Sequence, residues 1–319
     1  MAVEAGCGRV LVTGGAGFIG SHLARRLLAS GYQVLVLDDL SNGSRGNVPD
    51  GAVFIKGDIA AASTWERLGG QGFDAVCHLA AQSSGTLSFT DPVRDMQSHL
   101  PGSFLLLEHC RARGVKRVLY ASSTTTYGEP ERLPVDEAHP QRPQTFYALG
   151  KLCVERCLEF QARLGLEHTI LRMPNVYGPG QNMENRFQGM VSIYLAEMLA
   201  GRPILVKGGS ERFRDFVHVD DVVAGWMLAL ASPSAVGKTY NLGSGVASTV
   251  GEVLACLKAA WGDADYPVIF EDGTAGDQHG MRLDISRIRA DLGFRPALGL
   301  KEGIARMVAE EQKRAKHGK

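Results

Sequence analysis

The sequence predicts an α/β fold in which a doubly wound parallel sheet carries a smaller α/β lobe. Three observations lead there. Short apolar runs alternate with helix-spaced segments through the first half of the chain. A glycine-rich segment joins the first such run to the first helix. Beyond Tyr177 the alternation loosens into a region punctuated by Gly and Pro.

The runs 9–13, 33–38, 53–56, 75–79, 117–122 and 168–172 read as strands buried on both faces. Between them, 18–30, 92–113 and 146–164 place apolar residues three and four apart: Leu23, Leu27 and Leu28 in the first, Phe104, Leu107 and Cys110 in the second. Strand–helix alternation of this kind builds a parallel sheet covered on both faces. Later helices are expected at 188–200, 219–231 and 250–261, and the charged tail 310–319 is expected to fray. At 319 residues the chain can hold two cores, or one core with a lobe, separated by a cleft.

Bulk properties exclude several classes of function. Lys+Arg and Asp+Glu balance at 34 each, so nothing draws the chain generally to nucleic acid or to an anionic membrane. The six cysteines, Cys7, Cys77, Cys110, Cys153, Cys157 and Cys256, form no CxxC pair and sit in apolar surroundings. Free thiols in a reducing compartment explain them better than disulfides or a metal site. With no apolar run of spanning length and no secretory leader, the expectation is a soluble cytoplasmic protein.

The segment GGAGFIG at 14–20 follows the first strand and opens the first helix. Gly14, Gly17 and Gly20 have the spacing that permits a tight turn, close approach of a pyrophosphate, and packing of helix against sheet. The helix N-terminus then offers unpaired N–H groups to the phosphates. Asp38 ends the next strand, where its carboxylate can accept from adenosine ribose hydroxyls and would repel a 2′-phosphate, favouring NAD over NADP. Its alternative is an Asx-turn near Asn42 and Gly43. Asp58, ending the third strand, is either an adenine contact or a cap. This is the sequence of a Rossmann-type domain, expected over 1–180 with return segments near 215–245. The region 181–319 is left mainly for a substrate-binding lobe.

Two more segments should converge at the carboxyl ends of adjacent strands. ASSTTTYG, at 121–128, leaves one strand; YALGK, at 147–151, sets Tyr147 and Lys151 one helical turn apart. Tyr-x-x-x-Lys alone is common in helices, and its meaning comes from combination with the dinucleotide loop. A phenol with a pKa of about 10 is a poor base. An ammonium and a cationic nicotinamide nearby would favour the phenolate, making Tyr147 able to take a hydroxyl proton as hydride leaves the same carbon. Ser123 would hold the reacting oxygen, or else simply satisfy the strand end.

With these residues assembled, the chain resembles the extended short-chain dehydrogenase/reductase family, in its NAD-dependent epimerase/dehydratase division and the UDP-glucose (UDP-galactose) 4-epimerase-like branch. The motifs run in order along nearly the whole chain: the glycine loop, DDLSNG at 38–43, GDI at 57–59, HLAA at 78–81, and the Ser123/Tyr147/Lys151 set. LRMPNVYGPGQ at 171–181, RDFVHVDD at 214–221 and NLGSG at 241–245 follow. The resemblance implies catalysis by Ser123, Tyr147 and Lys151. It implies NAD held by Gly14, Gly17, Phe18, Ile19, Gly20, Asp38, Asn42, Asp58, Ile59, Leu79, Ala80, Ala81, Tyr147 and Lys151. A UDP-sugar would meet Thr125, Asn175 and Asn185, its diphosphate Arg214, and its uridine ribose Asp277. Arg214 read on its own could instead pair with Asp215 or Asp220. No metal is implied, and a homodimer through the helices at 92–113 and 146–164 is the usual assembly.

The implied reaction is epimerisation at carbon 4 of the sugar. Related dehydratases and decarboxylases place carboxylates between the Ser and the Tyr of the SxxxY segment; here Thr124, Thr125 and Thr126 stand there. Asn182 occupies the place where uronate epimerases tend to carry an Arg, although Arg186 is close by. A reductase, dehydratase or uronate epimerase of the same family, or a non-catalytic NAD-holding regulator, are the alternatives. The chain departs from the family pattern at His99, usually Asn; at Thr274, often a second diphosphate-binding Arg; and at Ala148 and Gly150, where Gly and Ser are commoner. Met281 falls where the 2-substituent of the sugar is gated.

Overall fold

The computed structural model describes residues 8–187, 189–273 and 279–317. The chain begins β1 (Arg9–Thr13), α1 (Phe18–Ala29), β2 (Gln33–Asp38), β3 (Val53–Lys56), α2 (Ala62–Leu68) and β4 (Ala75–His78). It continues α3 (Gly85–Thr90), α4 (Pro92–Arg113), β5 (Arg117–Ser123), α5 (Phe146–Ala162), β6 (Glu167–Met173), β7 (Asn175–Tyr177) and α6 (Met190–Leu199). Then come β8 (Ile204–Lys207), β9 (Phe213–His218), α7 (Val219–Ala231), β10 (Lys238–Asn241) and β11 (Ala247–Thr249). The last elements are α8 (Val250–Trp261), β12 (Val268–Glu271), α9 (Ser286–Leu292) and α10 (Leu300–His317).

Seven strands form one sheet in the order β10-β6-β5-β4-β1-β2-β3, with every neighbouring pair parallel. Side chains alternate across a strand, so each strand feeds two cores. Val10 and Val12 of β1 join Val34 and Val36 of β2 under Leu23 and Leu27 of α1 and Trp226 of α7. Leu11, Leu35 and Leu37 face the other way, under Leu106 and Leu107 of α4 and Val154 and Leu158 of α5. This two-sided burial is why these strands read as continuous apolar runs. The strand order reverses between β1 and β4, and a crevice at the carboxyl ends of strands belongs at such a switch point.

A third core joins α6, α8 and α10 to β8 and β9, with Leu195, Ile204, Val206, Phe216, Val253, Leu257, Ile304 and Met307 at its centre. Around it lie a three-stranded sheet, β11-β9-β7, and the pair β12-β8.

β1, β2, β3, α4, α7 and α8 lie on the residues expected for them, and β10 returns to the main sheet. α6 falls inside the expected 188–200, although Gln188 lies outside the described residues. The tail is a correction. Instead of fraying from 310, α10 continues to His317, because Ile304, Met307, Val308 and Glu311 share one buried face at three- and four-residue spacing. Glu311 accepts the N–H of Gly180 at 2.7 Å, tying the tail to the GPGQ segment. Among the described residues no helix is long and apolar enough to cross a membrane.

Candidate active site

The glycine segment forms a cradle between β1 and α1. Gly14, at φ 71°, presses against the segment that follows β4: a methyl group there would lie 2.7 Å from Ala80 N and 2.9 Å from Leu79 C. At Gly20 a methyl group would meet Gly14 O at 2.2 Å, so this glycine is what lets α1 approach the loop. Gly17 differs. A methyl there would have only Gly14 O within 4 Å, at 3.2 Å, and would otherwise fill the space in front of the helix. Gly17 is also the N-cap of α1 and offers no side chain to its first N–H groups, those of Phe18, Ile19 and Gly20. Space, free donors and a helix N-terminus together fit a dinucleotide pyrophosphate.

Asp38 does more than the sequence revealed. Its carboxylate accepts from Ala16 N (2.9 Å) and Leu40 N (2.8 Å), with Gly17 N also bonded to it. Both the loop tie and the Asx-turn are therefore present. A carboxylate has about four acceptor positions, so one remains for a ribose hydroxyl. Burial raises its pKa, and the three backbone donors oppose that rise. Leu79 and Ala80, with Ala81 following, hang on Thr13: both N–H groups donate to its Oγ1, at 3.2 and 3.3 Å. Asp58 is exposed and accepts from Ala60 N at 2.8 Å, the geometry of a turn cap. Ile59 is buried, and its carbonyl accepts from Trp65 Nε1. Asn42 stands in the exposed loop after β2.

Ser123 ends β5, which lies next to β4 in the sheet, and a hydrogen bond joins its hydroxyl to the Tyr147 phenol of α5. Thr125 N and Oγ1 both donate to Ser123 Oγ, at 3.2 and 2.9 Å. Thr145 caps the helix by accepting from Ala148 N, which fixes where Tyr147 begins its first turn. One turn on, Lys151 is buried and donates to Ala121 O at 2.8 Å, its ammonium 5.1 Å from the Tyr120 ring centre and 5.8 Å from that of Tyr147. Burial pulls the Lys151 pKa down to about 8, against Asp95 and Glu155, which favour the cation.

The phenol does not follow the sequence expectation. Burial pushes Tyr147 up to about 12; the Ser123 hydrogen bond opposes this and Asp95 adds to it. Lys151 is turned to the Ala121 carbonyl, so the chain's own groups leave the phenol less acidic than a free one. Further positive charge has to arrive with the dinucleotide.

A buried network missed in the sequence holds this corner. Glu155 takes a bidentate grip from Arg172, at 3.0 and 2.7 Å, and also accepts from Ser122 and from Gln141 Nε2. Arg172 continues to the Tyr127 hydroxyl, which donates to Asn241 Oδ1 at 2.6 Å. Glu155 lies four residues after Lys151, so its place on the inner face of α5 was readable; its partners on other strands were not.

On the far side, Asn175 opens β7 opposite Phe216 of β9, and Arg214 lies two residues before Phe216. Arg214 is buried and donates to Phe213 O and His279 O. Burial brings its pKa down to about 10, and the neighbouring Arg212 pushes the same way. The alternative pairing with Asp215 is not what Asp215 does: that carboxylate accepts from Ser244 N, Ser244 Oγ and Gly245 N. Asn185 donates to Asn42 Oδ1 at 2.9 Å, so it reaches across to the loop after β2. Asp277 and Thr274 lie outside the described residues.

Comparison with known proteins agrees with this geometry. The model of the NAD dependent epimerase/dehydratase family matches residues 10–243. A UDP-glucose 4-epimerase of Mycolicibacterium smegmatis is 38% identical over 307 residues, covering 94% of this chain and 97% of that protein. The crystal structure of Thermotoga maritima UDP-glucose 4-epimerase with UDP-glucose superposes with a TM-score of 0.92 at 36% identity, covering 96% of this chain and 99% of the other. That of the Thermus thermophilus UDP-glucose 4-epimerase in complex with NAD gives 0.89 at 38%, covering 95% and 99%. With its parallel sheet, glycine cradle and Ser–Tyr–Lys set, the chain belongs to the NAD dependent epimerase/dehydratase family.

Proposed function

We propose that this protein is an NAD-dependent UDP-sugar 4-epimerase that interconverts UDP-glucose and UDP-galactose, or their N-acetyl forms. The observation that carries the reading is the meeting of Ser123, Tyr147 and Lys151 at the carboxyl end of β5, one strand from β4 and two from the glycine cradle. When bound, NAD supplies the hydride acceptor and donor and a positively charged ring. Gly14, Gly17, Phe18, Ile19, Gly20, Asp38 and the segment Leu79–Ala81 would hold it, with Lys151 on the nicotinamide ribose.

Tyr147 takes the proton of the sugar 4-hydroxyl and later returns it. Ser123 and Thr125 hold the oxygen that loses and regains that proton. Arg214 suits the diphosphate, because a guanidinium pairs with phosphate oxygens through two parallel N–H donors. Firm holding of the diphosphate with looser holding of the sugar lets the oxidised sugar turn over before reduction at its opposite face. Thr124, Thr125 and Thr126 provide no carboxylate for elimination, and Arg186 is paired with Glu197, which favours a neutral hexose over a uronate.

Further parts of the reading concern organisation. Residues 1–180, with the return through α7 and β10, would form the NAD-binding domain, and 181–319 mainly the substrate lobe. Val93 and Phe104 of α4 and Phe146, Leu149 and Phe160 of α5 are exposed apolar residues that fit a homodimer through those helices. Buried free thiols at Cys77 and Cys110 fit the cytoplasm.

The test is to incubate the protein with UDP-glucose, UDP-N-acetylglucosamine and UDP-glucuronate and identify the sugars by NMR. An equilibrium mixture of 4-epimers, formed without consumption of added NAD, is expected. A 4-keto-6-deoxy product would assign a dehydratase instead, and no turnover at all would leave a cofactor-holding regulator. Tyr147→Phe should retain NAD and lose about 10²–10⁴ in rate.

A further inference from the structure

His99 of α4 is 1% exposed, and neither of its ring nitrogens has a hydrogen-bond partner. Burial leaves the ring neutral, with a pKa lowered to about 2; Lys151 and His78 act in the same direction. Its Nε2 stands 3.8 Å from Asp95 Oδ1, one turn back on the same helix. Gln82 Nε2 holds that same oxygen at 2.7 Å, while Asp95 Oδ2 has no partner. The ring meets the Tyr147 ring edge to face, centroids 5.6 Å apart at 61°.

The space for this ring is made by α5. A methyl group at Gly150 would lie 2.7 Å from His99 Cδ2, 2.8 Å from Cγ and 3.1 Å from Cβ. Those are atoms at the root and body of a buried ring, which cannot swing aside as a flexible chain end can. Gly150 lies between Tyr147 and Lys151, so the imidazole enters α5 at the turn that carries both. A glycine in mid-helix costs stability relative to alanine, so its presence there calls for a reason in packing.

The backbone of His99 is fixed as well. Ser103 Oγ donates to His99 O at 2.5 Å. Having one hydrogen, Ser103 must accept from His78 Nε2, 2.9 Å away. The other nitrogen, Nδ1, then accepts from Thr13 Oγ1 at 2.8 Å. Thr13 is the residue that also receives the N–H groups of Leu79 and Ala80. A directional chain of hydrogen bonds thus runs from the strand before the glycine cradle to the residue that backs the phenol.

We infer that His99 is a positioning residue for Tyr147, that Gly150 is its obligate steric partner, and that the pair sets the phenol relative to the cofactor cradle. The inference deepens the epimerase reading and rests on it for the role of the phenol. An Ala at 99 removes the Cγ and Cδ2 that a methyl at 150 would strike and leaves only Cβ, at 3.1 Å, while an Ala at 150 adds that methyl group.

The experiment is a double-mutant cycle of His99→Ala and Gly150→Ala on the full chain with its NAD. It reads kcat and KM with UDP-glucose, the thermal midpoint, and the Tyr147 resonance in protein labelled with ζ-13C tyrosine, assigned by its loss in Tyr147→Phe. Each single variant should lower kcat roughly 10- to 100-fold, as a phenol displaced by a fraction of an ångström would, with KM changed by less than about threefold. Each should also shift the Tyr147 resonance and its titration. In the double variant the methyl fills the space the ring has left, so the thermal midpoint, the resonance and most of kcat should recover relative to Gly150→Ala.

Effects that simply multiply, or an unmoved Tyr147 resonance in both single variants, would overturn the inference. If Gly150→Ala does not fold, rescue of folding by His99→Ala supports the pairing and failure of rescue refutes it. The resonance and the midpoint need no turnover. A wild-type chain that converts no UDP-sugar would therefore sink the proposed function while these two readings still judge the pair.

Discussion

Arg214 illustrates how a single residue can serve the fold and still suit a ligand: it donates to the Phe213 and His279 carbonyls. Its guanidinium is buried beside Arg212; burial and that like charge disfavour the cation, and Glu129 and Tyr194 favour it. A hydrogen bond to a charged group contributes about 1.5–3 kcal/mol, so Arg214→Gln should raise KM for UDP-glucose roughly 10- to 100-fold with kcat changed much less. The variant also loses the bonds to the Phe213 and His279 carbonyls, so its thermal midpoint should be lower. Steady-state kinetics and a thermal melt decide this, and an unchanged KM would remove Arg214 from the diphosphate. Tyr147, Lys151 and Asp38 were legible in the sequence because their type and spacing carry chemistry. Where Lys151 points was not, because the Ala121 carbonyl that receives it comes from another strand. For the same reason the phenol was expected to be acidic and is pushed up by burial.

At the scale of elements, the glycine loop separates two jobs that one motif runs together. Gly20→Ala places a methyl group 2.2 Å from Gly14 O, a backbone atom that can move only with the loop. Overpacking of this kind typically costs about 1–3 kcal/mol, and the variant should unfold at lower denaturant whether or not NAD is present. Gly17→Ala puts its methyl group into the space before α1, where it meets only Gly14 O, at 3.2 Å, within contact range. It should keep nearly the stability of the parent and lose NAD affinity, read by denaturant unfolding alongside NAD titration. Equal loss of stability in the two variants would contradict this division. β1 to β3 were legible because burial on both faces leaves an uninterrupted apolar run. β7 and β11 have three residues each and show no period of their own, so only pairing with β9 makes them strands. α10 was misjudged at its end because a charged tail hid the single buried face that includes Glu311.

Over the whole molecule, the buried polar chain from β1 to α4 makes stability depend on acidity in a definite sense. His78 and His99 are held neutral, burial lowering their pKa values from 6.5 to about 3 and about 2. Once unfolded, both take up a proton below 6.5; folded, neither does until far lower. The unfolded chain therefore binds more protons in that window. The stability these two groups allow is complete above pH 6.5 and is lost as pH falls toward their folded values. Asp95 works in the opposite sense: its pKa is raised by burial from 3.8 to about 6, so its carboxyl binds its proton more readily in the fold across that interval. Burial also lowers His22, His109, His168 and His218, which act with these two, and raises Asp38, Glu137 and Asp215, which act with Asp95, so six groups against four leave a net loss on acidification. Each proton of difference changes stability by about 1.4 kcal/mol per pH unit. Denaturant unfolding of the protein at pH 7, 6 and 5 should show stability falling with acid. Replacing His99 by Asn should flatten that dependence by about one proton, because a group that cannot titrate no longer distinguishes the two states. A variant with the parent's slope would mean that His99 is already protonated in the fold, with Asp95 as its ionised partner.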